Sequence, residues 1–477
     1  MKKTIYFVAG SQGLYGKETL ERVDKDSAEI ASFLSGGIAA AEIKYYGVAT
    51  DSGQILKMAR EANFDGDCIG VIVWCHTFSP AKMWIKGLKT LQKPMLHLHT
   101  QYNEKLPYDT IDMDFMNLNQ AAHGDREFGF ICARLGLNNA VVTGYYRHKR
   151  VVGEIARWAG AAAAYDYSFN LKVARFGDNM REVAVTEGNK VSAQIQFGWE
   201  VNTYGTGALV EEIAKVTDND AECLLKEYSR LYTFKTGDTA AVAEQAKYEI
   251  AMKRFFAERG VGAFTNTFED LYGMKQLPGL ATQRLMAEGI GFGAEGDWKT
   301  ACLGAVMMKM AEGVGRCAES GGTGKAAGAT GFMEDYTYDL TEGGELVLGA
   351  HMLEVPLAFA ATKPAVEVHP LGIGGKEPPA RLVFDGVCGK GIAVSLVDMG
   401  GRFKLSAANI ELVPQPKAMP RLPVARVMWK ILPDHASGVS RWIREGGAHH
   451  TVVSTALSAA DMKTLADLWK IDCIVIG

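Results

Sequence analysis

The chain has 477 residues, room for about three domains at roughly 150 residues each. Apolar residues make up 48% and charged residues 22%, which is a globular balance and excludes disorder as the default. Lys and Arg number 51 against 55 Asp and Glu, a formal charge of −4, so there is no basic footprint for nucleic acid or an anionic membrane surface. The first segment, Met1-Lys2-Lys3-Thr4 followed by an apolar run over 5–10, imitates the start of a signal peptide. Ser11-Gln12 ends that run before an apolar core of about 7–15 residues can form, so a buried strand over 4–9 is predicted instead. A helix follows over 18–34, then strands over 68–74, 94–99 and 140–143. Continuous apolar strands separated by helices predict a parallel sheet covered on both faces. The loops 11–16, 75–80 and 100–103 should gather at its C-terminal edge, where such sheets hold ligands.

A second alternating set begins with a strand over 171–175. Helices are predicted over 208–216 and 240–258, the latter stopped by Gly260, and a strand over 263–267. The apolar window 158–165 is far shorter than the ~20 residues that span a bilayer. The glycines at 313, 315, 321, 322, 324, 328 and 331 are too dense for a continuous helix or strand and predict a junction or active-site loop. Beyond them the pattern changes. Short β-rich runs over 345–352, 380–384, 391–397 and 402–409 predict an antiparallel sheet or barrel. In the last of these, Phe403, Leu405 and Ala407 alternate with Lys404 and Ser406, the sign of one buried and one wet face. A helix over 459–468 and a strand over 473–476 close the chain. Eight cysteines contain no Cys-x-x-Cys pair, which predicts reduced thiols in a cytoplasmic protein and not a zinc knuckle or disulfide framework.

No phosphate loop and no Gly-x-Ser-x-Gly elbow is present, and Gly10-Ser11-Gln12-Gly13, which follows a strand, is not a clear dinucleotide fingerprint and reads more simply as a tight strand-to-helix turn. Four places could carry metal or acid–base chemistry: Glu295 in Gly-Ala-Glu-Gly-Asp-Trp, Glu334 in Phe-Met-Glu-Asp-Tyr, His351 in an apolar strand over 346–355, and the doublet His449-His450. A carboxylate among glycines and apolar residues is costly to bury unless it is paired or bound to a cation. Each place also has a plain structural reading: a turn, an ion pair or a satisfied core histidine. Spacing alone does not join the four, and alternation lets only one ring of the doublet point inward.

Longer blocks carry a resemblance. Trp74-Cys75-His76-Thr77-Phe78-Ser79-Pro80-Ala81-Lys82-Met83-Trp84, Phe176-Gly177-Asp178-Asn179-Met180-Arg181-Glu182-Val183, Glu295-Gly296-Asp297-Trp298-Lys299-Thr300, Phe332-Met333-Glu334-Asp335-Tyr336-Thr337-Tyr338 and Gly446-Gly447-Ala448-His449-His450-Thr451 closely resemble the L-arabinose isomerase family. So do Met113-Asp114-Phe115-Met116-Asn117-Leu118-Asn119-Gln120 and Thr267-Phe268-Glu269-Asp270-Leu271. The resemblance spans almost the whole chain. It implies two Rossmann-like α/β domains, over 1–170 and 171–322, and a β-barrel-like domain over 323–477, an L-fucose isomerase-like fold. It implies a cytoplasmic enzyme that converts L-arabinose to L-ribulose through an enediolate, and D-galactose to D-tagatose as a second activity. Its implied site holds Mn²⁺, with Co²⁺ as a substitute and no nucleotide cofactor, on Glu295, Glu334, His351 and His450. The two glutamates double as acid and base. The implied sugar pocket comprises Gln12, Leu14, Tyr15, Gln120, His123, Met180, Phe268, Tyr336 and Ile373. In the family, the N-terminal members of that set reach the site from a neighbouring subunit of a homohexamer. Nothing in the pattern calls for a nucleic acid or a membrane partner.

Three departures stand out. The family places His where this chain has Gly13, its Gly-rich stretch before Glu334 is shorter, and it continues for about one more helix after the last strand. They leave two rival readings: an isomerase of another aldose, and a sugar-binding protein of the same fold without turnover.

Overall fold

A computed structural model describes residues 3–314 and 328–477. Most of the Gly-rich stretch, 315–327, lies outside the described residues. Of its flanks, Gly313 lies in the last turn of the helix Trp298–Val314 and Gly331 belongs to the strand Thr330–Asp339, so regular structure reaches further into that stretch than glycine density predicts. The chain divides into two compact units. One runs to Asp166, and the other comprises Tyr167–Ala311 and 328–477.

The first unit is built on a five-stranded parallel sheet. Its strands lie in the order Glu42–Ala49, Thr4–Gly10, Cys68–Cys75, Met95–His99, Ala140–Thr143. Strand alternation feeds two separate cores. Ile5, Phe7, Ile72 and Trp74 enter one, while Tyr6, Val8, Val71 and Val73 enter the other. All eight residues of Cys68–Cys75 are buried, as a strand covered on both faces requires. The helices Gly16–Gly37, Ser52–Phe64, Ala121–Arg134 and Lys149–Phe169 alternate with these strands. The loops after the strands gather at one edge as expected: Ser11 Oγ lies 2.7 Å from Thr77 Oγ1, and Trp74 Nε1 donates to the Thr100 carbonyl at 3.0 Å.

The second unit joins a parallel sheet to a closed barrel. The four-stranded sheet runs Gly291–Gly293, Val261–Asn266, Lys172–Phe176, Glu200–Tyr204. Gly260, at φ 66°, stops the long helix Thr239–Arg259 in the left-handed conformation that glycine tolerates. Six antiparallel strands form the barrel: Gly389–Asp398, His450–Ser454, Thr330–Asp339, Leu346–Ala350, Arg426–Ile431 and Phe403–Val413, the last pairing back to the first. Closure removes the free edges of the sheet. Asp472–Ile476 adds to Phe403–Val413 in parallel. Ala380–Val383, Ala365–Val368 and Thr233–Phe234 form a separate three-stranded sheet, its last member drawn from the chain well before the barrel.

Two local expectations change. Lys404 and Ser406 are buried along with their apolar neighbours, because the helices His435–Arg444 and Ala459–Trp469 pack on that strand. Lys404 satisfies its ammonium on Glu445 at 3.2 Å. The strand expected to run to 355 ends at Ala350, so His351 sits in the bend that follows, where its ring bonds Glu354. Among the described residues, no helix is long and apolar enough to cross a membrane.

Gly349 marks the tightest point of the barrel wall. A Cβ there would run into the ring of Trp429, which is 1% exposed. Gly349→Ala should therefore destabilise the protein by about 1–3 kcal/mol through overpacking, read as a lowered Tm in thermal denaturation.

Candidate active site

The four residues singled out for chemistry converge in the second unit. Glu334 lies on the strand Thr330–Asp339, with His450 directly opposite on one neighbouring strand and Ala350 opposite on the other. His351 follows Ala350 immediately. Three adjacent barrel strands thus deliver one carboxylate and two imidazoles to the same spot. Glu295 arrives from the parallel sheet, in the loop after Gly291–Gly293. His450 Nε2 is 3.7 Å from Glu295 Oε2, and His351 Nε2 is 3.8 Å from Glu334 Oε2.

Glu295 is held in an uncommon conformation, φ 59°, in the left-handed region that costs a non-glycine residue roughly 1 kcal/mol or more. Its surroundings compensate. The Glu295 carbonyl accepts from Met180 N–H at 2.9 Å, and Gly296 N–H donates to the Asn266 carbonyl at 3.0 Å. Gly296 is itself left-handed, and a Cβ there would collide with the backbone of Asn179. The Asn179 amide donates to the Gly296 carbonyl at 3.1 Å. The segment around Asn179-Met180 therefore acts as a mould for the acidic loop.

Both histidines are oriented by a carboxylate behind them. His351 Nδ1 donates to Glu354 at 2.5 Å, and His450 Nδ1 donates to Asp297 at 3.3 Å. Each ring is thereby set to present Nε2 to the site. His450 is fully buried and its Nε2 has no hydrogen-bond partner. Asp297 and Lys299 are also buried, 3.0 Å apart, and Lys299 donates further to the Thr186 carbonyl at 2.7 Å. Burial pushes the Asp297 carboxyl up, but Lys299 and His450 outweigh it and hold it below the usual carboxylate range. The nearby His449 ring does most to lower Glu295, ahead of the opposing effect of burial. Burial opposes a charged His351, yet Glu354, followed by Glu334 and Glu295, pushes its pKa up to about 9.

Phe332 forms an apolar floor beneath the imidazoles, its ring 5.3 Å from that of His351 and 5.4 Å from that of His450. Above lies a cavity of about 340 Å³. Of the residues named from the sequence, Glu295, Glu334, His351, Met180, Phe268, Tyr336 and Ile373 line it. The other five named pocket residues lie in the first unit. Gln12, Leu14 and Tyr15 share one short turn, and Gln120 and His123 begin the helix Ala121–Arg134. Gln120 Nε2 donates to Tyr15 Oη at 3.0 Å, His123 Nδ1 is 3.3 Å from Gln120 Oε1, and the His123 ring stacks on Phe78.

The alternation argument for the His449-His450 doublet is too strict. The strand starts at His450, so His449 precedes it and escapes the two-residue period. Its Nε2 comes within 3.9 Å of Glu295 Oε2. Sequence reasoning also passes over Glu354 and Asp297 as orienting groups. The signal for Glu354 is its place three residues after His351, and that for Asp297 is its place two residues after Glu295.

The ligand atoms of Glu295, His351 and His450 all lie within 4.8 Å of one another, as do those of Glu334, His449 and His450. Carboxylate oxygen with imidazole nitrogen is a donor set suited to a divalent first-row cation and not to a thiolate-selecting one. The partnerless, inward-set Nε2 of His450 fits the same role.

Comparison with known proteins agrees along the whole chain. Residues 1–170 match the L-arabinose isomerase N-terminal domain, 172–313 the L-arabinose isomerase central domain, and 329–472 the L-arabinose isomerase C-terminal domain. L-arabinose isomerase 1 of Bacillus licheniformis is 52% identical over 99% of this chain and 93% of its own length. The L-arabinose isomerase of Geobacillus stearothermophilus is 51% identical over 99% of this chain and 94% of its own. That of Oceanobacillus iheyensis is 50% identical over 100% and 99%. An α/β chain with this cluster and these relatives is an enzyme of the isomerase class. It belongs to the L-arabinose isomerase family.

The Glu354–His351 pair is open to a direct test. In chelator-treated protein, Glu354→Gln should lower the His351 pKa from about 9, because the largest raising charge goes and burial stays, while Glu334 and Glu295 still act upward. Titration of the ring by NMR reads the shift.

Proposed function

We propose that this chain converts L-arabinose to L-ribulose in a metal-dependent aldose–ketose isomerisation through an enediolate. The observation that carries the reading is the convergence of Glu295, Glu334 and His351 on one small cavity, with His450 Nε2 3.7 Å from Glu295 behind its wall, in a chain of this family. The donor set suits Mn²⁺, with Co²⁺ as a substitute, held by those four residues. When bound, the cation supplies Lewis-acid polarisation of the sugar carbonyl and charge stabilisation for the enediolate.

The chain's own residues do the rest. The reaction takes a proton from C2 of the aldose and returns it to C1, while the O2 proton passes to O1, so atoms balance and no nucleotide cofactor is needed. Glu295 and Glu334 are the carboxylates for these transfers, one at carbon and one at oxygen. The nearby His449 ring keeps Glu295 ionised and able to accept a proton. Glu354 and Asp297 hold the imidazoles in one tautomer and one orientation. Phe332 and Phe268 line the site with apolar surface, which strengthens each charge interaction there.

The first-unit group is the part of the reading that involves assembly. Leu14 is 85% exposed, His123 is exposed, and Tyr108, Met113 and Met116 expose further apolar surface in the same unit. Exposed apolar side chains of this kind suit association with another chain. They support a homohexamer in which Gln12, Leu14, Tyr15, Gln120 and His123 serve the cavity of a neighbouring subunit. The seven described cysteines are all free, which supports a reducing, cytoplasmic location. Activity on D-galactose belongs to the same proposal, the reacting end of that sugar being alike.

Glu295→Ala and Glu334→Ala should each lower kcat by about a thousandfold or more while the fold persists, in a colorimetric ketose assay with circular dichroism as control. Near wild-type turnover in either variant would remove its role. Chelation should abolish activity and added Mn²⁺ restore it; full activity after verified metal removal would end the metal-dependent reading. Gly13 has open space around its Cβ position and an ordinary backbone, so a histidine fits there without strain. Gly13→His should lower KM for L-arabinose by about two- to tenfold, the worth of one hydrogen bond.

A further inference from the structure

Arg381 stands on the strand Ala380–Val383, and at 2% exposure it is among the largest buried side chains of the protein. A buried guanidinium is costly and is tolerated where its donors are used. Here the two Nη arms are used on main-chain carbonyls, Nη1 donating to Met352 at 3.1 Å and Nη2 to His369 at 2.9 Å, while the buried Nε has no hydrogen-bond partner. Those carbonyls belong to two different walls of the cavity. Met352 follows His351 and is itself a wall residue. His369 opens the loop that carries Leu371 and Ile373 into the lining. Burial pulls the Arg381 pKa down to about 10 while Glu354 and Glu367 act the other way, so it is charged at neutral pH.

The far end of the same loop is tied by a second cation. Lys376 Nζ donates to the carbonyls of Leu271 at 2.7 Å and Met274 at 3.0 Å, and Glu377 N–H donates to the Lys275 carbonyl at 3.0 Å. Between the two anchors, Gly374 and Gly375 adopt φ 78° and 60°, and Ile373 is 40% exposed. The wall is thus a short strap fixed at both ends, with its bulky side chain between them. Its distance from the wall of His351 is set by one planar guanidinium that bonds both.

We propose that Arg381 is a specificity-setting positioning residue, whose clamp on the Met352 and His369 carbonyls fixes the width of the cavity between His351 and Ile373 and so the size of aldose admitted. Arg381 touches no reacting atom; it acts through the two walls. The inference rests on the isomerase reading, and the ratio it predicts is separate from whether turnover occurs.

The test compares wild type, Arg381→Met and Arg381→Lys as full-length enzyme with Mn²⁺, on L-arabinose and on D-galactose, which carries one more CH₂OH. Wild-type turnover tests the isomerase reading by itself. Arg381→Met should raise KM for L-arabinose more than it lowers kcat, and should cut the kcat/KM preference for L-arabinose over D-galactose by roughly fivefold or more. Arg381→Lys should restore part of that preference, since an ammonium replaces one arm of the fork but not its plane. Calorimetric binding of the unreactive polyol L-arabitol should weaken in parallel, a readout independent of turnover. Lys376→Met loosens the other end of the strap from a half-exposed position, and it carries the test if Arg381→Met does not fold; the preference should fall there too. An unchanged preference and unchanged L-arabitol affinity in the folded variants would overturn the proposal, whatever happens to overall rate.

Discussion

The site depends on a constraint imposed on two rings. An imidazole has two nitrogens, and in both His351 and His450 the Nδ1 is committed to a carboxylate behind it, Glu354 and Asp297. That commitment leaves Nε2 of each ring facing the acidic side chains, so four residues distant in sequence act as one cluster. Each orienting carboxylate has its own cation nearby. Lys299 lies against Asp297, and the charge of Arg381 acts on the region of Glu354. The result is a layered alternation of sign running from the interior to the cavity. Such a network is expensive to bury, and removing one member leaves its neighbour uncompensated.

The fold supplies the geometry that this chemistry needs. The barrel gives rigidity, with three neighbouring strands setting Glu334, His450 and His351 by register. The parallel sheet gives reach, because Glu295 follows a strand end, where α/β sheets present their functional loops. The left-handed backbone of Glu295 is the meeting point of the two. It is held by Met180, Asn266 and Asn179, so the strain there is balanced by hydrogen bonds from three directions.

Much of the fold was legible in the chain. The apolar runs at 4–9 and 68–74 became inner parallel strands, since their both-face burial leaves a pattern that does not depend on distant residues, and the run at 140–143 became an edge strand with one exposed face. Gly260 was legible as a stop because its role is local. The strand Glu42–Ala49 left little trace, being half exposed, and so did Gly291–Gly293, which is short. Lys404 and Ser406 misled because two helices far along the chain cover them. The site was legible by residue but not by arrangement: Glu295, Glu334, His351 and His450 were visible as unusual acids and histidines, while nothing in their spacing joined them. Resemblance supplied the grouping. His449 was misjudged because the period of a strand says nothing about the residue just before it.

The barrel's closure has an effect on the neighbouring histidines themselves. His450–Ser454 is zipped on one side to Thr330–Asp339 and on the other to Gly389–Asp398. A slip of one residue would draw His449 into the strand in place of His450 and turn every following side chain to the opposite face. In a closed ring, sliding by one residue would have to break both seams together and turn Val452 and Val453 inside out. The choice between twin histidines is thereby made by topology, and drift along the chain is denied at the doublet where local chemistry alone would be indifferent.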